Sequence, residues 1–416
     1  MKHLLILGGI ALSKEIVETA HSAGIDVYVT DYLPDSPAKR VADKSFMVST
    51  TDVDAVVDLI KREHIDGVLT GYIDLLLPYY VQICRKSGLP CYATEEQIAI
   101  TTDKNRFKDL CRKYSVPTVP EYSYEEVLAG KAVFPVLVKP VDNSGARGIF
   151  ICTNLDEFKE NYEKSLAFSP SKHLLIERYM TGKEATIFYY LHKGEIYLMG
   201  MGDRHMLKFD DNLLPLPVGY TFPSIHLPMF EKEVNECVIA MFKSLGMLEG
   251  MVFMQSFIEE GKCVVYEMGY RLTGSIEHHL ISKSTGFNPL TAIIDFAVGN
   301  EVDDSSINAI DPHKGCLANV SLLITPGTIK AYRGIEEAKK LDGVLHIFLS
   351  YDEGTELGKQ IMGRLAQLAV RVLIYADDKT ELINRMEQVK DTIQVLDIDG
   401  RDMLIKDYSY VRMIQN

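Results

Sequence analysis

The stretch FPVLVKPVDNSGARGI, Phe134 to Ile149, decides how the rest of the chain is read. Phe134, Val136, Leu137 and Val138 form an apolar run ending at Lys139 and Pro140, the pattern of a buried strand that delivers one cation to its exposed end. Asp142 to Gly148 then offers backbone N–H groups unobstructed by large side chains, with Ser144 as an extra donor and Arg147 as a charge, before a second apolar run, GIFICT. Strand, flexible anion-cradling loop, strand is a phosphate-handling arrangement. Gly145 and Gly148 would equally suit an ordinary hairpin turn, so the surroundings must decide.

A chain of 416 residues is too long for one compact core and is expected to divide into about two to four domains. With 47% hydrophobic and 25% charged residues it has ample apolar surface for real cores. It carries 44 basic against 58 acidic side chains, a formal net charge of -14. That balance argues against a nucleic-acid backbone or an anionic membrane as the main partner, but leaves room for a local basic pocket that takes a polyphosphate. Ser13, Lys14 and Glu15 interrupt the apolar start MKHLLILGGIAL, so a buried strand is expected there and not a signal peptide. No window approaches ~18 uninterrupted apolar residues, so no membrane span is expected. The seven cysteines form no CxxC pair and sit mostly in apolar runs, as reduced core thiols of a cytoplasmic protein would.

From Lys2 to about Thr94 strand and helix patterns alternate: KHLLILGG, LSKEIVETAHSAG, DVYVTDY, DVDAVVDLIKREH, GVLTG, LLLPYYVQICRKSG and PCYAT. Such βα units imply an open parallel sheet. Gly8-Gly9, with Asp31 ending the second strand, invites a dinucleotide reading, but the third glycine of GxGxxG is missing and a scaffold domain is preferred. Asp103 then reads as the N-cap of a helix from Lys104 to Tyr114, which puts Lys104 in the first turn, against the helix dipole, where an anionic ligand would explain it. Beyond the opening stretch, HLLIERYMTGKEATIFYYLHKGEIYLMGMGDRH reads as three strands, with Glu177 and Arg178 where one runs out and Glu184 where the next begins. Arg204 to Ser224 lacks clean periodicity and is expected to be a functional loop. After an acidic connector, a small C-terminal α+β domain is expected from Lys314 onward. The expected class is thus a mixed α/β and α+β multidomain protein, with divisions at 1–95, 96–190, 191–313 and 314–416.

Walker, GxSxG, kinase and HExxH motifs are all lacking. His278 and His279 follow Glu277, but adjacent residues diverge on a helix or strand, so a substrate-facing or solvated place is expected for them, not a metal site. The hairpin Met251 to Arg271 is more informative. If its turn holds an odd number of residues, such as Glu260-Gly261-Lys262, Gln255 and Glu267 stand directly opposite each other, whereas a two-residue turn would separate them. A carboxylate and an amide oxygen converging there would suit magnesium; a plain cross-strand polar pair is the alternative.

In order along the chain, TTDKNRFKDL, FPVLVKP, the NSGARGI loop, LLIERYMTGKEATI, the hairpin ending YEMGYRLTG, and STGFNP resemble the ATP-grasp superfamily of ligases and carboxylases. The resemblance implies an N-terminal α/β domain before an ATP-grasp domain of two α+β subdomains, with ATP and Mg2+ as cofactors. It implies that Lys104 and Lys139 contact ATP phosphates and that Ser144, Gly145 and Gly148 belong to the closing loop. Glu177, Arg178 and Met180 would read adenine, largely through backbone, and Glu184 would hold the ribose hydroxyls. Glu267 would bind magnesium, and Arg271 would neutralise the transferred phosphate or a substrate carboxylate. Two departures stand out: Gln255 replaces the usual acid, and Gly269 replaces the asparagine of the family's ExN motif. The metal end of the site then rests on Glu267, on substrate phosphates and on Gln255. The implied reaction activates a small-molecule carboxylate as an acyl phosphate for attack by an amine, with Lys139 and Arg271 as the catalytic cations. Purine-pathway glycinamide synthetase or carboxylase activities, bicarbonate phosphorylation and a non-catalytic ATP-binding protein are the alternatives. A homodimer is the one assembly considered.

Overall fold

The computed structural model of the chain describes residues 1–141, 148–208 and 215–415. Ser144, Gly145 and Arg147 of the opening stretch lie outside the described residues. Four short strands begin the chain: β1 (His3–Leu7), β2 (Asp26–Thr30), β3 (Lys44–Phe46) and β4 (Gly67–Leu69). They are parallel, in the order β3-β2-β1-β4. HLLIL and DVYVT are buried almost throughout, as near-continuous apolar runs in a parallel sheet should be. Asp31 accepts a hydrogen bond from the Gly9 N–H at 2.7 Å, so this acid shapes the first turn of the scaffold.

PCYAT, expected as a further strand, forms none. Tyr92 instead packs its ring between Tyr80 and Tyr270, at 5.0 and 5.2 Å, as the chain enters the helix Glu95–Thr102. The helix Lys104–Lys113 follows, with Asp103 as its N-cap accepting from the Arg106 N–H at 2.9 Å.

β5 (Val136–Pro140), β6 (Phe150–Cys152) and β7 (Leu174–Arg178) form a small antiparallel sheet with β5 in the middle. Val136, Val138, Cys152 and Ile176 pack with Phe158 of the helix Leu155–Ala167 into a core of their own. Side chains alternate along a strand, so Leu137, Lys139 and Glu177 face away from that core. Gly148, just past the undescribed loop, has φ +76°, and a Cβ there would lie 2.6 Å from the Phe168 Cβ.

The remaining strands are β8 (Lys183–His192), β9 (Glu195–Leu207), β10 (Leu216–Phe222), β11 (Gly250–Glu259), β12 (Lys262–Gly269), β13 (Cys316–Leu323), β14 (Gly327–Arg333), β15 (Val344–Leu349), β16 (Glu356–Leu357), β17 (Leu368–Ala376) and β18 (Gln394–Asp397). Eight of them make one antiparallel sheet, β12-β11-β8-β9-β10-β13-β17-β15, while β16, β14 and β18 form a small separate one. This sheet runs across two of the expected divisions. A boundary after residue 190 falls inside β8, and one after residue 313 divides strands that main-chain bonding between β10 and β13 joins. The irregular stretch from Arg204 is also shorter than its composition suggested. β9 and β10 absorb most of it, a register shift between Pro217 and Gly219 accommodating the proline.

Candidate active site

Three segments place charge on the inner face of the small sheet. Lys139 and Glu177 sit diagonally across β5 and β7, close enough for a direct ion pair. On the other side of Glu177 lies Lys108, whose side chain is 1% exposed and which also contacts Glu121 at 2.6 Å. Lys108 is one helical turn beyond Lys104, so both point from the same face of the helix Lys104–Lys113. Burial pulls the Lys139 ammonium below its ordinary pKa; Glu177 opposes this, and the positive charge of Lys104 adds to it. Burial would raise the Glu177 carboxyl, but Lys139 and Lys108 together hold it below the usual carboxylate range. Glu177 thus uses its side chain to hold two lysines in place.

β7 is hydrogen-bonded on both edges: the Arg178 N–H reaches the Pro120 carbonyl at 2.9 Å, and the Tyr179 N–H reaches Pro135 at 2.8 Å. The Arg178 guanidinium pairs with Glu259 at 2.7 Å. Met180, buried, is the first residue past this ladder. These three positions therefore form a rigid edge beside the lysines.

The large sheet adjoins this edge, the Val265 N–H donating to the Pro117 carbonyl at 2.8 Å. The β11–β12 turn has two residues, Glu260 and Gly261, both at positive φ, the alternative that by itself would separate Gln255 from Glu267. A bulge between Gln255 and Ser256 supplies the extra residue instead: Ser256 pairs with Val265, Gln255 with Glu267, and Tyr266 is left over. Gln255 and Glu267 are opposite each other after all, one half-buried and the other exposed. Alternation puts Glu184 and Thr186 on the same face, because Gln255 stands across from Thr186. Glu184 is held by Arg204 Nη1 at 2.5 Å and by the Tyr266 hydroxyl, which donates to it at 2.9 Å. The displaced residue of the bulge therefore fixes the acid expected to hold a ribose.

Further along that face the register runs from Arg204 to Tyr220 and on to Asn319, with Ser321 and Arg371 across from each other on β13 and β17. Arg371 is buried and donates to Ser321 Oγ at 3.0 Å; among the described residues it pairs with no carboxylate. Burial lowers its pKa from the ordinary value. Arg271, by contrast, is already engaged: it clamps Asp74 through Nε and Nη2 at 2.5 and 2.6 Å and donates through Nη1 to the Leu272 carbonyl. Lys108, Tyr266 and Arg371 were missed in the sequence. An arginine inside the apolar run LAVRVLIYA was the signal for the last of them. A cavity of about 510 Å³ opens beside Glu184 and Arg204, but His205, Thr221 and Lys379 line it, and Lys104, Lys139 and Glu267 do not. Since His205 and Thr221 alternate with Arg204 and Tyr220, it lies mainly on the other side of the sheet.

Residues 103–305 match the family model of the carbamoyl-phosphate synthase L chain, ATP binding domain. This chain carries an ATP-grasp domain. The ATP-grasp segment has relatives of several kinds. The 2-oxoglutarate carboxylase small subunit of Hydrogenobacter thermophilus is 24% identical over 369 residues, 80% of this chain and 75% of the relative. A formate-dependent phosphoribosylglycinamide formyltransferase of Synechococcus is 27% identical over 185 residues, 42% of this chain and 47% of the relative, so only about half of that protein is spanned. Among solved structures, the biotin carboxylase domain dimer of Hydrogenobacter thermophilus 2-oxoglutarate carboxylase, in complex with MgADP, ADP and bicarbonate, aligns over 95% of this chain and 90% of its own, with TM-score 0.79 at 20% identity. The ATP-grasp fold therefore extends over nearly the whole chain.

Proposed function

We propose that the protein is an ATP-dependent ligase that activates a carboxylate as an acyl phosphate and passes it to an amine, releasing ADP and phosphate. The observation that carries this reading is the placement of Lys104 and Lys139 beside the Glu177 clamp, on a sheet whose partner wall presents Glu267 and Gln255. Adenine would lie along Arg178 to Met180, the ribose hydroxyls near Glu184, and the phosphates between the two lysines and the closing loop that includes Ser144, Gly145 and Gly148. Glu267 and Gln255 offer hard oxygen atoms for Mg2+, which suits an ion that keeps waters and phosphate oxygens as its other ligands. Bound Mg2+ would neutralise charge between the β- and γ-phosphates.

Substrate carboxylate oxygen attacks the γ-phosphorus and ADP leaves; the amine nitrogen then attacks the acyl carbon, phosphate leaves with the bonding pair, and the amine gives up a proton. No protein nucleophile is needed. Fixed cations and a site closed to water are sufficient. Arg371, buried with a hydroxyl as its partner, is suited to a substrate carboxylate, whereas Arg271 would have to release Asp74 to play that part. Formate and bicarbonate belong in the substrate search because of the relatives' names, which keeps the purine-type alternative open. Gln255 and Gly269 favour the second reading, a protein that binds ATP without turnover. No helix among the described residues is long and apolar enough to cross a membrane, and all seven cysteines are free thiols, in keeping with the cytoplasmic setting of this reading.

The test is ADP and phosphate release on incubation with ATP, Mg2+ and pools of carboxylates and amines. With an 18O-labelled carboxylate, the label should appear in the phosphate released. No ADP across broad pools, from protein that MgATP stabilises against heat, would support binding without turnover and sink the ligase reading.

A further inference from the structure

Glu15 lies in the first turn of the helix Ser13–Ser22 and is 5% exposed, yet three imidazoles surround it. His279 Nε2 is 2.7 Å from Oε2, His346 Nε2 is 2.8 Å from Oε1, and His278 Nε2 is 3.8 Å from Oε2. The rings are gathered as closely as the nitrogens: His279 stacks on His346 and lies against His278, with centroids 4.3 Å apart in each pair. This corrects the expectation that His278 and His279 diverge. His278 opens the helix His278–Thr285 with Glu277 as its N-cap, and at that end both rings turn toward the N-terminal helix.

Two imidazole N–H groups would be enough to satisfy a buried carboxylate. The third has no such explanation. At 3.8 Å His278 Nε2 is too far to hydrogen-bond Glu15; it has no other partner, and the residue is 2% exposed. A polar nitrogen buried without a partner is destabilising, which an apolar residue would avoid. Two imidazoles, one of them with an orphaned Nε2, gathered at one carboxylate oxygen are what a shared occupant would require.

We propose that Glu15, His278 and His279 form a binding site for a divalent transition-metal ion, zinc being the ion whose chemistry fits the donors best. Imidazole nitrogens with one carboxylate suit zinc, cobalt or nickel, and not the oxygen-seeking magnesium or calcium. Their ligand atoms all lie within 4.8 Å of one another, and bonds of about 2.0–2.1 Å in a tetrahedron put ligand atoms about 3.3 Å apart, so small side-chain shifts would close the site. His346 holds Oε1 and leaves Oε2 to the ion. Three protein donors leave the fourth position to water. The ion would tie the N-terminal helix and the ATP-grasp helix His278–Thr285 together. The site shares no residue with the proposed nucleotide site, so neither reading depends on the other.

The test uses the full-length protein, stripped of metal with a chelator and free of nucleotide, titrated with Zn2+ against a chromophoric chelator and with Co2+ by visible absorption. One tight equivalent is expected, with the intense bands of tetrahedral Co2+ and a rise in melting temperature on adding Zn2+. H278A and H279A should each weaken binding at least tenfold and lose the Co2+ bands, while H313A, which removes a histidine outside the cluster, should bind like wild type. E15Q, close in shape and still able to hydrogen-bond, should lose affinity even if an alanine variant fails to fold. Binding equal to wild type in E15Q and H279A, which would put the ion on the thiols, or no uptake by wild type at micromolar Zn2+, would overturn the proposal.

Discussion

Phe253 stands directly across the β11–β12 pair from Gly269, and its ring fills the space that a side chain at 269 would need: a Cβ there would lie 2.3 Å from the Phe253 Cε1. The missing asparagine of the ExN motif is therefore tied to a second residue. Arg271 covers the other side of the same ring, with its Cζ 5.0 Å from the centroid. G269N alone should lose about 1–3 kcal/mol by overpacking. Combined with F253A, the asparagine should gain room, so that the double variant is more stable than the two single losses predict, and only the double variant should bind Mg2+ more tightly in the presence of nucleotide. Urea denaturation of the four proteins decides it: additive losses would mean that the two positions are not coupled.

Lys104 and Lys108, one helical turn apart, should behave in opposite ways. K108A takes one of two lysines from the buried Glu177, while half-buried Glu121 keeps Arg112, and should cost about 3–5 kcal/mol, the penalty of removing one partner from a buried ion cluster. K104A, at a half-buried position, should change stability by less than about 1 kcal/mol. It should, however, reduce the rise in melting temperature that MgATP produces in wild type. Equal stability losses in the two variants would show that the helix has no division between a structural and a ligand-facing lysine.

Much of this arrangement could be read from the chain. The lysine-ended strand at Val136–Lys139, the Asp103 cap and the pairing of Gln255 with Glu267 follow from local patterns and the order of motifs. What could not be read depends on long-range geometry. Lys108 looks like any surface lysine until Glu121 and Glu177 fold against it. The bulge at Tyr266 leaves no mark in an apolar strand, and turn length alone left the register of Gln255 and Glu267 open. Glu15 and His346, 331 positions apart, meet only because the first helix packs against β15. The sheet runs across an expected division because a change in composition marks connectors, whereas main-chain pairing joins β10 with β13.

The bulge itself is open to test. Deleting Tyr266 should restore a continuous two-residue-turn register that keeps Glu267 across from Gln255, while removing the hydroxyl that holds Glu184. MgATP should then still stabilise the protein. Y266F keeps the register and loses only the hydroxyl that donates to Glu184 at 2.9 Å, so it should cost about 1 kcal/mol and retain nucleotide binding. Nucleotide stabilisation lost in the deletion but kept in Y266F would show that the bulge itself, and not the Gln255–Glu267 pairing alone, shapes the site.

His205 should give the protein a measurable acid sensitivity. Burial lowers its pKa from 6.5 to about 4, with Lys379 and Lys183 adding to the effect and Asp203 opposing it, while Nε2 lies 2.8 Å from Thr221 Oγ1. The unfolded chain takes up a proton at this residue near pH 6.5, and the folded chain does so only near pH 4. Between those values the unfolded state binds more protons, so stability is fully present above the higher value and falls as pH drops toward the lower one. The slope contributed by one group is at most about 1.4 kcal/mol per pH unit. H205Q, which keeps a hydrogen-bonding side chain without a titrating ring, should remove this contribution. The difference in unfolding free energy between wild type and variant, measured by urea denaturation from pH 7 to pH 4, should therefore shift steadily against wild type as the pH falls. A difference that stays flat across that range would place His205 in solvent.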